Sequence, residues 1–273
     1  MPDILTFLMP GIDNSHTTCL CLALNIFRCQ ALTRNIAMDK KVLIVKNISR
    51  EGPGIIEALL KEQDIPYTII DLDKGQAFPS PQDYSALVVL GGPDSANDTT
   101  EKMKLELQRI REALSLKIPY LGICLGLQTL IKATGGKVIK SPVKEVGFKG
   151  PDAKPFIISL TEDGKKDEFF NELGDNFRVF QLHGETVELT KDMKLLGTGK
   201  FCQNQIVKVG SNAYGIQCHF ELTPKMFEVW LNEDADLLRL NKKQLQNEFN
   251  SFLDEYTSIG RKLFQNFLKI AGF

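Results

Sequence analysis

An α/β fold, built on a doubly wound and mainly parallel sheet with antiparallel hairpin additions and a helical C-terminal tail, is the class this sequence predicts. Three observations carry it. Short, almost continuously apolar runs at 41–46, 67–72, 84–90 and 120–123 alternate with helical segments at 54–63, 102–116 and 125–134; strands buried on both faces of a parallel sheet look like this. Beyond residue 136 the pieces shorten, alternate and are split by polar turns, as hairpins do. From Pro224 to Phe273 apolar residues recur at helical spacing.

The bulk numbers bound the function. A chain of 273 residues, 43% hydrophobic and 25% charged, has the composition of an ordinary globular protein with one sizeable core or two small ones. A net charge of −1, with acids and bases interspersed, argues against nucleic acid as a partner. No apolar run approaches the ~20 residues that span a bilayer. The six cysteines are irregularly spaced and read as reduced thiols of a cytoplasmic protein. Three histidines, His16, His183 and His219, disfavour a zinc site and narrow the search for a base. No metal or other cofactor is expected.

Residues 1–37 differ from the rest. Cys19, Cys21, Cys29 and His16 could form a metal knot, but their spacing fits no familiar site. A signal peptide would place its positive charge ahead of the apolar core, whereas Arg28 follows it. The segment is predicted to be a loosely attached N-terminal extension to a domain covering 38–273.

From there the elements follow in order. Lys41-Val-Leu-Ile-Val-Lys46 is a buried strand, and the helix over 54–63 puts Ile55, Ile56, Leu59 and Leu60 on one face. Strands at 67–72 and 84–90 follow, the latter ending in Gly91-Gly92-Pro93, then a helix over 102–116 and a strand at 120–123. The helix over 125–134 spaces Leu127, Leu130 and Ile131 by three and four, and Gly135 ends it. Short strands are expected at 137–139, 144–148, 156–160, 177–182, 194–199 and 206–209, with 162–168 a solvated turn. Thr223-Pro224 opens the tail with a capping hydroxyl and a first-turn proline. The tail's aromatic stripe is read as packing on the sheet rather than as a partner-binding face.

Chemistry concentrates where strands end, because ligands of open α/β sheets collect at the carboxyl ends. Cys124 stands on a strand-to-helix hinge between Gly122 and Gly126. Gly-x-nucleophile-x-Gly marks a nucleophile elbow, and the free N–H groups of a helix start favour a thiolate. The plainer alternative is a small buried cysteine between turn glycines. Gly91-Gly92-Pro93-Asp94-Ser95 is either a phosphate loop or an oxyanion donor. Pro93 removes an N–H that phosphate cradling needs, whereas an oxyanion hole needs one, from Gly92. In Tyr214-Gly-Ile-Gln-Cys-His-Phe-Glu221 an extended strand would project Gln217, His219 and Glu221 to one face. A carboxylate there can orient an imidazole that polarises a thiol; a chance surface pair is the alternative.

Together, in this order, the Gly-Gly-Pro loop, Gly-Ile-Cys-Leu-Gly-x-Gln and Gln-x-His-x-Glu resemble the class I glutamine amidotransferases, most closely the glutaminase part of GMP synthase and its free-standing relatives. The resemblance covers roughly 38–273. It implies a flavodoxin-like sheet, Cys124 as nucleophile with His219 and Glu221 completing a triad, and an oxyanion hole from the amides of Gly92 and Leu125. It also implies that Gln128, His183 and Gly91 contact a small-molecule substrate, glutamine or a γ-glutamyl compound. Phe180-Gln-Leu-His183-Gly184-Glu185 and Lys144-Glu145-Val-Gly-Phe148 have counterparts in that family.

Three positions depart from it. Phe220 stands where the family usually has proline, which predicts a looser triad. Cys218 replaces an aromatic residue and leaves an emptier wall, and Glu185 replaces aspartate. Nothing in the chain resembles a synthase module. The implied activity is therefore glutamine hydrolysis feeding a separate ammonia-accepting synthase subunit, with γ-glutamyl peptide hydrolysis or a catalytically weak regulatory role as alternatives.

Overall fold

The computed structural model describes residues 40–273; the expected extension over 1–37 and its metal knot lie outside them. Nine strands form one sheet and two more form a separate ribbon. Strands β1 (Val42–Lys46), β2 (Tyr67–Asp71), β3 (Ala86–Val89), β4 (Tyr120–Ile123) and β11 (Ala213–Ile216) lie parallel in the order β2-β1-β3-β4-β11. This is the doubly wound order whose crevice opens beyond the strand carboxyl ends. The sheet continues antiparallel through β10 (Ile206–Val209), β9 (Met193–Gly199), β6 (Ile157–Leu160) and β7 (Asn176–Arg178).

Alternation along the parallel strands explains the layers. Val42 and Ile44 join one apolar cluster with Ile55 and Leu59 of α1 (Ile55–Glu62) and Leu263 and Phe264 of α6 (Leu253–Ile270). Leu43 and Val45 join the opposite one, with Ile110 and Ala113 of α2 (Glu101–Ser115) and Leu130 of α3 (Leu125–Ala133). Each strand feeds both layers, which is why the runs read as continuously apolar. The tail packs as expected: α4 (Pro224–Glu233), α5 (Lys242–Asn250) and α6 bury Phe227, Trp230, Phe249, Tyr256 and Phe267 in the first cluster.

Three expectations need correcting. The pieces at 137–139 and 144–148 are one strand, β5 (Lys137–Gly147), whose register shifts between Lys140 and Glu145 where it pairs with β8 (Gln181–Glu188). An irregularity inside a continuous ladder looks like a break in the sequence pattern. The run at 177–182 is divided between β7 in the main sheet and β8 in the ribbon. Strand β11 stops at Ile216, so His219 and Glu221 stand on a bend beyond it; an isolated bridge ties His219 to Phe180.

Where α3 starts, backbone packs directly on backbone of β4 and β3. A Cβ on Gly122 would lie 2.2 Å from the Gly126 carbonyl oxygen, and one on Gly126 would lie 2.1 Å from that of Val89. Backbone blocks both, so neither position can give way. Gly126→Ala is expected to destabilise the protein by about 2–4 kcal/mol in urea denaturation. Gly174→Ala, where an added methyl meets nothing within 4 Å, should change it by less than about 0.5 kcal/mol.

Candidate active site

Cys124 caps α3 with φ 53° and ψ −106°. An L-residue adopts positive φ only under constraint, at a cost of about 1–3 kcal/mol. Here the bond from its N–H to the Ile216 carbonyl (2.7 Å) and the close β4–α3 approach hold it. The bend places the sulfur at the free N-terminus of α3, where the Leu125 amide has no partner within the helix. The thiol also lies 3.7 Å from the Leu182 carbonyl and from Gln217 Nε2.

His219 is fixed from several sides. Its N–H donates to the Phe180 carbonyl (3.0 Å), and its own carbonyl accepts from the Tyr256 hydroxyl (2.9 Å). Trp230 meets the imidazole edge-on, with ring centroids 5.1 Å apart. Nδ1 lies 2.6 Å from Glu221 Oε1, while Nε2 is buried with no hydrogen-bond partner among the described residues. Burial opposes the imidazolium, yet the Glu221 charge and the neighbouring Cys124 sulfur outweigh it and hold the His219 pKa well above its usual value. A Cβ on Gly91 would stand 3.4 Å from both Cys124 Cβ and His219 Cε1. Thiol and imidazole, 95 residues apart in sequence, thus converge on one point.

The expected looseness at Phe220 is not what the structure shows. The Phe220 N–H donates to Glu221 Oε2 (3.0 Å), a bond that proline could not make. Its ring is buried against Phe177 and Tyr256. Glu221 is therefore held at both oxygens, one by the imidazole and one by backbone. Cys218 is fully buried, and burial pushes its thiol pKa up. That is the behaviour of a core residue.

The Gly91-Gly92-Pro93 loop is held from beneath by Asn47, just past β1. Asn47 Nδ2 donates to the Leu90 carbonyl and to Glu106 Oε1, both at 3.2 Å. Lys102 Nζ reaches the Asn47 carbonyl (2.8 Å) and Asp94 (2.6 Å). A Cβ on Gly92 would stand 2.6 Å from that of Asn47, so only glycine fits. A cleft of about 470 Å³ opens in front, lined by Cys124, Gly92, Gln128, His183, Glu51 and Asp234 among others. Gly91 and His219 adjoin Cys124 without lining the cleft themselves.

The flanking positions are mutually engaged. Gln128 Nε2 donates to the Glu185 carbonyl and to Gln217 Oε1, each at 3.3 Å. Both His183 nitrogens are occupied, Nε2 with Glu145 Oε2 (2.8 Å) and Nδ1 with the Glu185 carbonyl (3.0 Å). The ring is thereby tied to the wall and not free to act as a base. Among the described residues, Glu145, His183 and Cys202 form a buried group whose potential metal-donor atoms lie within 4.8 Å of one another. Gln205 Nε2 donates to the same Glu145 oxygen (3.0 Å), so these groups are arranged as a hydrogen-bond network.

Sequence reasoning passed over Asn47, Arg50, Glu51 and Glu106. Asn47, Arg50 and Glu51 sit in the loop after the first parallel strand, and the rule that such loops face the crevice could have found them. Glu106 carries no such signal, being an acid inside an ordinary helical pattern.

Comparison with known proteins fits this geometry. Residues 54–234 match the family described as glutamine amidotransferase class-I. The glutamine amidotransferase-like protein YfeJ of Salmonella typhimurium is 30% identical over 205 residues, covering 67% of this chain and 83% of YfeJ. A glutamine-hydrolyzing GMP synthase of Borreliella burgdorferi is 32% identical over 191 residues, 70% of this chain. The chain spans only 35% of that synthase's length. A glutamine amidotransferase structure from Thermotoga maritima superposes with a TM-score of 0.74 at 28% identity, covering 84% of this chain and 98% of that one.

Glu106 supplies a pH test. Burial raises its pKa to about 7 against bonds from Asn47 and attraction by Lys102. Between its ordinary value and about 7 the native state binds more protons than the unfolded one, so stability falls as pH rises through that window. The single-group contribution is at most about 3 kcal/mol. In urea titrations at pH 5 and pH 8, Glu106→Gln is expected to flatten that decline; an unchanged slope would contradict the assignment.

Proposed function

The chain belongs to the class-I glutamine amidotransferase family, and we propose that it hydrolyses the side-chain amide of glutamine to glutamate and ammonia. The observation that carries this is the convergence of a thiol, held at positive φ on a strand-to-helix bend, with an imidazole paired to a carboxylate. The Cys124 thiolate attacks the amide carbon. Amides of Gly92 and Leu125 stabilise the tetrahedral oxyanion, each worth about 3–4 kcal/mol.

His219 protonates the nitrogen from Nε2, the C–N bond breaks with its electrons going to nitrogen, and ammonia leaves a γ-glutamyl thioester on Cys124. Neutral His219 then takes a proton from water, the resulting hydroxide attacks the thioester, and collapse releases glutamate and restores the thiolate. Glu221 holds the imidazole tautomer and stabilises its charged form. Gln128 meets the substrate from the cleft wall that His183 shapes, and Gly91, with no side chain, leaves room for the Glu51 carboxyl beside Cys124 and His219.

The ammonia is proposed to pass to a separate synthase subunit, since the GMP synthases related to this chain extend well beyond the matched segment. A second reading, hydrolysis of γ-glutamyl peptides, draws on the cleft's extension past Cys124 to Asp234 and Asp236, which leaves room for a larger leaving amine. The free thiols Cys124, Cys202 and Cys218 suit a reducing, cytoplasmic setting. Among the described residues no helix is long and apolar enough to cross a membrane.

Purified protein is expected to release glutamate and ammonia from glutamine, and Cys124→Ser to lower kcat by at least ~10³-fold. Full retention of activity in that variant would reject the assignment.

A further inference from the structure

Glu51 is a buried acid at this site that the reaction above leaves unused. It follows β1 in a loop anchored on both sides. Ile55 N–H donates to the Glu221 carbonyl (2.9 Å), the Trp230 indole to the Arg50 carbonyl (3.1 Å), and the Arg50 guanidinium to Asp234 (2.9 Å). The side chain lines the cleft, yet Oε2 has no hydrogen-bond partner among the described residues. That oxygen occupies the space a Gly91 side chain would fill, 2.3 Å from the position of its Cβ. Cys124 Cβ and His219 Cε1 border the same point. A carboxyl desolvated without a partner costs stability, and here it stands in the corner bordered by Cys124 Cβ and the His219 ring.

We propose that Glu51 accepts an N–H from the leaving nitrogen of the substrate, which makes the site selective for a primary amide that departs as ammonia. This rests on the glutamine-hydrolysis reading and names its substrate class. The chemistry allows little else. A carboxylate repels the developing oxyanion, which turns to the Gly92 and Leu125 amides. The nitrogen lone pair takes its proton from His219 Nε2, and the amide's own N–H groups then need acceptors of their own, where Glu51 is the buried acceptor at hand. Glu51 supplies one without gaining or losing a proton. A secondary amide would put a carbon substituent in place of one N–H, facing the charge.

The electrostatics agree. Burial raises the Glu51 pKa to about 7; His219 and Arg50 draw it down while Glu221 and Asp234 push it up. The carboxylate is the stronger acceptor, so kcat/KM for glutamine rises as Glu51 loses its proton through about pH 7, a limb absent from Glu51→Gln.

The test compares full-length wild type, Glu51→Gln and Glu51→Ala on glutamine and on glutamate γ-methyl ester, whose leaving oxygen carries no N–H, with melting temperatures alongside. Glu51→Ala is expected to lose at least tenfold in kcat/KM on glutamine and under threefold on the ester. Glu51→Gln should fall between Ala and wild type on glutamine while melting at or above the wild-type temperature. Equal losses on both substrates, or undiminished glutamine hydrolysis, would overturn the proposal. Wild type that cleaves neither substrate would instead remove the glutamine reading on which it rests.

Discussion

The close approach of β4 to α3 is the constraint from which the site follows. With no side chain at Gly122 or Gly126, the helix starts hard against the strand, and the residue between them must bend through positive φ. That bend turns a cysteine from an apolar strand toward the crevice and sets it at a helix N-terminus, where unpaired N–H groups favour negative charge. The neighbouring elements then complete the arrangement. Strand β11 lies beside β4 in parallel register, so the chain leaving it brings His219 to the end of the sheet where Cys124 waits. Strand β3, on the other side, delivers the Gly91-Gly92 loop. Three adjacent strand ends thus bring together the His219 imidazole, the Cys124 thiol and the Gly91-Gly92 loop, the groups proposed as base, nucleophile and backbone donors.

Around that nucleus the fold buries charge sparingly and asymmetrically. Glu221 is held at both oxygens, by the imidazole and by the Phe220 amide, so its burial is compensated. Glu51 and Glu106 are less well compensated, each with one oxygen unpartnered among the described residues, and burial raises both pKa values to about 7. Glu106 is a support, acting through Asn47 on the loop that carries Gly92. Glu51 touches the place where thiol and imidazole meet. Two acids with the same kind of burial therefore differ in what they face, and position rather than titration separates their roles.

The parallel half of the fold was legible because it rests on local signals. Continuous apolar runs, Gly135 after a helix and Thr223-Pro224 before another each report backbone requirements that act within a few residues, and the elements fell within a residue or two of expectation. The antiparallel half was less legible. Strand β5 keeps one ladder through a register irregularity, and the 177–182 run serves two sheets; both depend on pairings distant in sequence. At the site, Cys124 and His219 could be picked out because their types and spacings are unusual, although the strand expected to present His219 ends three residues earlier. Phe220 misled because proline's absence suggested slack, while the amide hydrogen it provides is visible only once Glu221 is placed. Glu51 lies among ordinary loop residues, and its position over Gly91 emerges only when β1 and β3 are neighbours.

The central claim is that Cys124, activated by His219, takes the γ-glutamyl group. Its most direct test is intact-protein and peptide mass spectrometry after incubation with a chloroketone analogue of glutamine. The account predicts one adduct per chain, on Cys124, slowed by excess glutamine and strongly reduced in His219→Ala. Labelling spread over Cys202 and Cys218, or an adduct on Cys124 that glutamine does not slow, would contradict it.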